Sequence, residues 1–213
     1  MKTFEIFPTP VSIVNIKISQ NLVNYFKTLE MVSKSESINY GLHSRDTQIL
    51  RSKQCVELRK EILHHITTYA REILCLDTKQ MVDVHSWVSV KMPGQSHVPH
   101  GHPNSCVTAV FYFDEVQGEC PLSFHKNVNR GSGVFEMRPR YNEQKLHESR
   151  YSETAFVTPE KFDMLIFPAH QNHGVPVNTS KKNRYSLAIN LVPANELGTQ
   201  DNLTHFMYDS AVI

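Results

Sequence analysis

Three histidines and one arginine in this chain have the types and spacing to do chemistry. His100 and His102 stand two residues apart in HGHPNS, which runs directly into the strand-like CVTAVFYF. Side chains alternate along an extended strand, so two imidazoles at this spacing point to one face, about 7 Å apart at Cα, and can converge on one metal ion. Gly101 between them places no side chain on the opposite face. His97 lies three residues before His100 and falls on the other face of a regular strand, a regularity that Pro99 can break. Farther on, FPAHQNHGVPV sets His173 beyond an apolar strand ending in Phe167 and Pro168, where it can complete such a site; His170 competes with it. RYSLAIN then puts Arg184, Ser186, Ala188 and Asn190 on one strand face. An inward arginine among apolar residues is costly unless it meets an anion. A carboxylate held bidentately, with the Ser186 hydroxyl assisting, satisfies it.

The elements that must position these residues are legible as two styles of sequence. From Met81 onward come short runs rich in Val, Phe, Tyr and Ile: VDVHSWVSVKM, VPHGH, CVTAVFYFDE, CPLSFHK, GVFEM, TAFVTP, FDMLIFP, GVPV and RYSLAINLV. Turn residues divide them (PG, HPNS, QGE, RGSG, TPEK, NTSKKN). Eight or nine short strands with no helix between them predict an antiparallel sandwich or barrel. Before Met81, strand-like FEIF and IVNIKI flank a PTP turn. Two helical patterns follow. NLVNYFKTLEMV aligns Leu22, Phe26, Leu29 and Val32, and VELRKEILHHITTYAREIL aligns Leu58, Ile62, Ile66, Ala70 and Leu74, widened by Leu63 and Ile73. These helices are expected to cover one sheet, with Trp87 in the core where the two layers meet.

The expected fold class is therefore α+β, mainly β, in a single domain spanning 1–213. Its parts are a strand and supporting helices (1–80), a β core (81–193) and a tail (194–213). The Arg-bearing segment 129–153 reads as a solvated loop or a substrate-covering lid. Phe206, Met207 and Tyr208 in the tail are candidates to dock on a second copy as a homodimer.

Composition narrows the function classes. The 213 residues carry 22 Lys and Arg against 21 Asp and Glu, a net charge of +1, which argues against a polyanion-coating protein. Cys55, Cys75, Cys106 and Cys120 form no CxxC pair, which argues against a disulfide scaffold or a zinc ribbon. No apolar run approaches the length of a membrane span and the first residues carry no secretory signature, so a cytoplasmic setting is expected. The 12 histidines are the unusual feature. Of these, His43, His85, His147 and His205 lack local partners and are read as surface or packing residues, as are His64 and His65.

Together the blocks HGHPNSCVTAVFYF, FPAHQNHGVPV and RYSLAINL resemble, in order and spacing, the Fe(II)- and 2-oxoglutarate-dependent oxygenases. The resemblance is nearest to a small phage and bacterial branch with an H-x-H-P-x-S block. It implies a double-stranded β-helix, a jelly roll that brings strands distant in sequence side by side. It also implies Fe(II) held by His100 and His173, with His102 either a third ligand or absent from the metal so that a position stays open, and 2-oxoglutarate as small-molecule co-substrate. The distal carboxylate of that co-substrate would lie on Arg184 and Ser186, with Asn190, Tyr112 and Asn104 as further co-substrate contacts. O2 is the oxidant, and an unidentified substrate (a peptide, a small molecule or a nucleic-acid component) would be hydroxylated with release of succinate and CO2. One departure stands out: the wider family's motif is His-x-Asp, and here His102 occupies the Asp position. Two other readings remain open at this point. One is a three-His cupin-like metalloenzyme without 2-oxoglutarate, against which Arg184 and Ser186 speak. The other is a catalytically silent jelly-roll interaction module, which His102 in place of Asp keeps alive.

Overall fold

In the computed structural model the described residues are 2, 8–33, 41–115, 121–126, 152–194, 196–197 and 204–205. The FEIF and GVFEM runs, Cys120, His147, most of segment 129–153 and the tail residues Phe206, Met207 and Tyr208 lie outside them. In chain order the strands are β1 (Ser12–Asn15), β2 (Met31–Val32), β3 (Leu42–Ser44), β4 (Met81–Lys91), β5 (His97–His100), β6 (Val107–Phe111), β7 (Leu122–His125), β8 (Thr154–Val157), β9 (Asp163–Pro168), β10 (His173–Val175), β11 (Arg184–Pro193), β12 (Glu196–Leu197) and β13 (Thr204–His205). Two α-helices, α1 (Gln20–Thr28) and α2 (Val56–Thr68), precede β4.

The strands pair antiparallel into a seven-stranded sheet, order β1-β9-β6-β11-β4-β3-β2, and a four-stranded sheet, order β5-β10-β7-β8; β12 and β13 form a separate pair. Two facing antiparallel sheets with strands distant in sequence as neighbours make the double-stranded β-helix. The long partner of β4 is β11, and β6 lies on the other side of β11. This pairing brings the Arg184 strand between the strands before and after the histidine block.

Alternation sorts the large sheet's side chains into two layers. Val88, Val90, Ala109, Phe111, Met164, Ile166, Leu187 and Ile189 face outward into one apolar cluster with Val23 and Phe26 of α1 and Leu58, Ile62 and Ile66 of α2. Val110, Tyr112, Leu165 and Phe167 face inward with Leu122 and Phe124 of the small sheet. Because these strands are buried on both faces, they read as nearly continuous apolar runs. Each fully buried Phe or Ile contributes about 1.5–3 kcal/mol relative to exposure.

The helical expectations need two adjustments. The helix α1 begins at a Ser19 cap that accepts from the Leu22 N–H at 3.3 Å, and it ends at Thr28. Met31 and Val32 then pair with β3, so Val32 belongs to a sheet edge and not to the helical stripe. The second helix opens into a π-helical turn at Tyr69–Ile73, which rotates Ile73 out to 50% exposure while the Tyr69 hydroxyl donates to the Pro10 carbonyl. On this helical side Asp83 is fully buried between Arg51 and Arg59. It is thus a structural carboxylate, far in role from the histidines. No helix among the described residues is long and apolar enough to cross a membrane.

Candidate active site

The inward face of β4 presents Trp87, Ser89 and Lys91, that of β11 Arg184, Ser186 and Ala188, and the β6 strand with its extension Thr108, Val110 and Tyr112. With His43 of β3, and with His97, His100, Leu122, His173 and Val175 of the small sheet, these residues enclose one cavity between the sheets. His102 joins them from the turn after β5, where its backbone N–H donates to the Ala169 carbonyl at 2.8 Å. A wider groove of about 950 Å³ runs along α2, but none of these residues lines it.

His100, His102 and His173 converge. Their ring nitrogens can be chosen so that all three lie within 4.8 Å of one another. Ring centroids are 4.6 Å apart for His100 and His173, 5.0 Å for His100 and His102, and 5.2 Å for His102 and His173. The register explains the first pair, since His173 stands directly opposite His100 across β10 and β5. Gly174 allows that approach: a Cβ there would meet the His97 carbonyl oxygen at 2.9 Å. His102 reaches the group by leaving the strand, and not by the extended two-residue spacing that the sequence suggests, because β5 ends at His100.

Hydrogen bonds orient the rings. Nδ1 of His100 lies 3.0 Å from the Val98 carbonyl oxygen, and Nδ1 of His173 lies 3.0 Å from that of Gln171. A carbonyl only accepts, so each Nδ1 carries the proton and each Nε2 keeps a free lone pair. His102 is held differently. Its Nδ1 lies 3.2 Å from the side-chain amide of Asn190, whose Oδ1 accepts from the Thr108 hydroxyl at 2.9 Å. Burial, reinforced by the other imidazoles, pushes His102 down to about 3 and His173 to about 4, so both are neutral near pH 7. Neutral imidazole is the ligating form, and a cluster of imidazoles suits a first-row transition metal such as iron.

Arg184 lines the same cavity and is only 6% exposed. Its Nη2 donates to the Tyr112 hydroxyl at 3.0 Å and its Nη1 to the Pro121 carbonyl at 3.4 Å, while its carbon centre sits 5.1 Å from the Tyr112 ring centroid. These contacts use two of the five guanidinium N–H donors and supply no negative charge. A carboxylate is the chemical complement of such a guanidinium, and Ser186 lines the same wall.

The chemistry and the comparisons agree. The sequence family described as "Putative 2OG-Fe(II) oxygenase" matches residues 85–190, about half of the chain, and the match contains every one of the residues just described except His43. The chain belongs to the 2OG-Fe(II) oxygenase family. It is thus an oxygenase that uses Fe(II) and 2-oxoglutarate with O2. No curated protein sequence matches it significantly. Among solved structures, HygX from Streptomyces hygroscopicus, crystallised with nickel and 2-oxoglutarate, is similar with a TM-score of 0.59 at 12% identity, covering 87% of this chain and 83% of that one. The 2-oxoglutarate-dependent carbocyclase SnoK of nogalamycin biosynthesis gives 0.59 at 15% identity, over 92% of this chain and 82% of its own. A prolyl-4-hydroxylase from Pseudomonas putida gives 0.54 at 14%, over 87% and 93%. At these identities the likeness is one of fold.

Several placements in this oxygenase differ from the sequence expectations. Asn190 does not line the cavity; its amide stands behind the His102 ring. Asn104 is exposed on the turn before β6 and is also outside the cavity wall. Trp87 faces the cavity and not the helices, packing against His85 at 4.8 Å between ring centroids. His43, expected at the surface or in packing, is a buried part of the cavity wall. His97 lies on the same side as His100, with ring centroids 4.3 Å apart, because a register shift pairs two steps of β10 with three of β5. Lys91 also lines the cavity; a single lysine carries no motif in the sequence, although strand alternation puts it on the Trp87 and Ser89 face.

Proposed function

We propose that His100, His102 and His173 hold the Fe(II), and that Arg184, with Tyr112 and Ser186, receives the distal carboxylate of 2-oxoglutarate. One observation carries this reading: the three histidines and the buried arginine open into the same cavity. When bound, the iron and co-substrate supply the oxygen-activating chemistry that oxidises a C–H bond, with succinate and CO2 as co-products.

The chain's own residues bind, orient and exclude. His100 and His173 are presented with Nε2 free by their carbonyl partners. His102 presents Nε2 once the Asn190 amide is turned so that Oδ1 accepts from Nδ1–H and the Thr108 hydroxyl accepts from Nδ2; a neutral amide and a hydroxyl support both arrangements. Three neutral ligands leave the metal its full double charge, and the dianionic co-substrate offsets it. Val110, Leu122 and Val175 wall the cavity with apolar groups that strengthen the Arg184–carboxylate pairing by keeping water out.

The test is substrate-independent turnover. The Fe(II)-loaded protein in air should convert 2-oxoglutarate to succinate slowly without any primary substrate, and His100→Ala, His173→Ala and Arg184→Ala should each abolish this conversion. Succinate formation that persists in the three variants would overturn the assignment.

A further inference from the structure

Arg184 is not the only cation in the cavity. Lys91 ends β4 directly opposite Arg184 in the β4–β11 register, and it is 3% exposed. Its side chain lines the same cavity, with Nζ donating to the Ser89 hydroxyl at 3.3 Å. The position is built. Asn178 donates to the Lys91 carbonyl at 2.9 Å, and Gly41, at φ +75°, leaves room for the stem, since a Cβ there would come within 2.8 Å of Lys91 Cδ. Two like charges buried side by side repel each other, and a bound carboxylate between them relieves that repulsion.

Building on the reading above, we propose that Lys91 and Arg184 form one two-cation grip on the distal carboxylate of 2-oxoglutarate, and that co-substrate binding is thereby linked to protonation of Lys91. Burial, then the Arg184 guanidinium, lower Lys91 to about 8. Among the described residues, the titratable and charged groups that line the cavity with it are Arg184 on β11, His97 and His100 on β5, His102, His173 on β10, His43 on β3 and Tyr112 after β6, and Arg184 and His97 interact with it electrostatically. The bound carboxylate favours the charged amine and raises its pKa. Below about pH 8 the lysine is already protonated and affinity is flat; above it, binding must take up a proton, so the dissociation constant rises by up to about tenfold per pH unit.

Calorimetric titration of the Ni(II)-loaded full chain tests this, from about pH 7 to about pH 9.5, with two ligands. These are 2-oxoglutarate and 2-oxobutyrate, which keeps the chelating end but lacks the distal carboxylate. The proposal expects Lys91→Met to weaken 2-oxoglutarate by roughly tenfold to a hundredfold and to leave 2-oxobutyrate unchanged. It expects the wild-type rise above pH 8 to be confined to 2-oxoglutarate. Lys91→Arg, permanently charged, should retain most of the affinity and lose the pH dependence, which a merely structural lysine would not produce. Equal loss of both acids in Lys91→Met, or no loss of either, would overturn the grip while leaving the Arg184 reading intact. Wild-type protein that binds the metal but neither acid would overturn both.

Discussion

The side-chain amide of Asn190 lies 3.2 Å from Nδ1 of His102, and its oxygen accepts from the Thr108 hydroxyl. This small relay, set across β11 and β6, orients the one histidine that stands where the wider family has an aspartate. Removing it in Asn190→Ala should weaken metal binding by roughly tenfold to a hundredfold, as measured by competition with a coloured chelator. With the ring in the ligating tautomer, which carries Nδ1–H toward position 190, Asn190→Asp supplies a stronger acceptor and should restore affinity. Unchanged affinity in Asn190→Ala would show that the relay does not orient a ligand.

Arg184 should be separable from the metal. Arg184→Ala removes the buried guanidinium and should cost 2-oxoglutarate affinity on the order of a hundredfold or more, while metal affinity changes little. Equal loss of both would mean that the arginine supports the fold of the cavity and not its ligand.

Acid should destabilise the metal-free protein. Burial lowers His97 and His102 to about 3 and His173 to about 4, against 6.5 for an unhindered imidazole. Below pH 6.5 the unfolded chain takes up protons that the folded cluster resists, so stability present above that pH is lost as the pH falls toward about 4. Thermal unfolding midpoints of the metal-free protein should therefore fall across that window. A flat profile would contradict the buried neutral cluster.

Gly174→Ala places a Cβ 2.9 Å from the His97 carbonyl oxygen and 3.2 Å from the Pro99 nitrogen, both backbone atoms. Strand β5 must move away from β10, taking His100 from His173. We expect a stability loss of about 1–3 kcal/mol together with weaker metal binding. Wild-type affinity in this variant would mean that the two strands accommodate the change elsewhere.

Spacing revealed those parts of the site that depend on one strand at a time. Arg184 and Ser186 share a face because alternation is a local property, and the short Val-, Phe- and Ile-rich runs that become β6, β9 and β11 predict an antiparallel sandwich or barrel. What depends on a break in regularity stayed hidden. The shift between β5 and β10 turns His97 toward His100, and no propensity encodes that shift. Alternation puts Trp87, Ser89 and Lys91 on one face of β4, but a strand buried on both sides does not declare which face meets the helices and which the cavity. His43 and Lys91 owe their places to strand pairings, of β3 with β4 and of β4 with β11, between segments far apart in sequence.

The most direct measurement is an anaerobic titration of metal-free protein with Fe(II) and then 2-oxoglutarate, following the weak visible charge-transfer absorption of the iron chelate. It should be run on the wild type beside His102→Ala and His102→Asp. The account predicts a band that needs both components and saturates near one equivalent. It predicts that His102→Ala weakens iron binding on the scale of His100→Ala, and that His102→Asp preserves or strengthens it. Iron binding without a band, or an iron affinity indifferent to position 102, would contradict the three-histidine site.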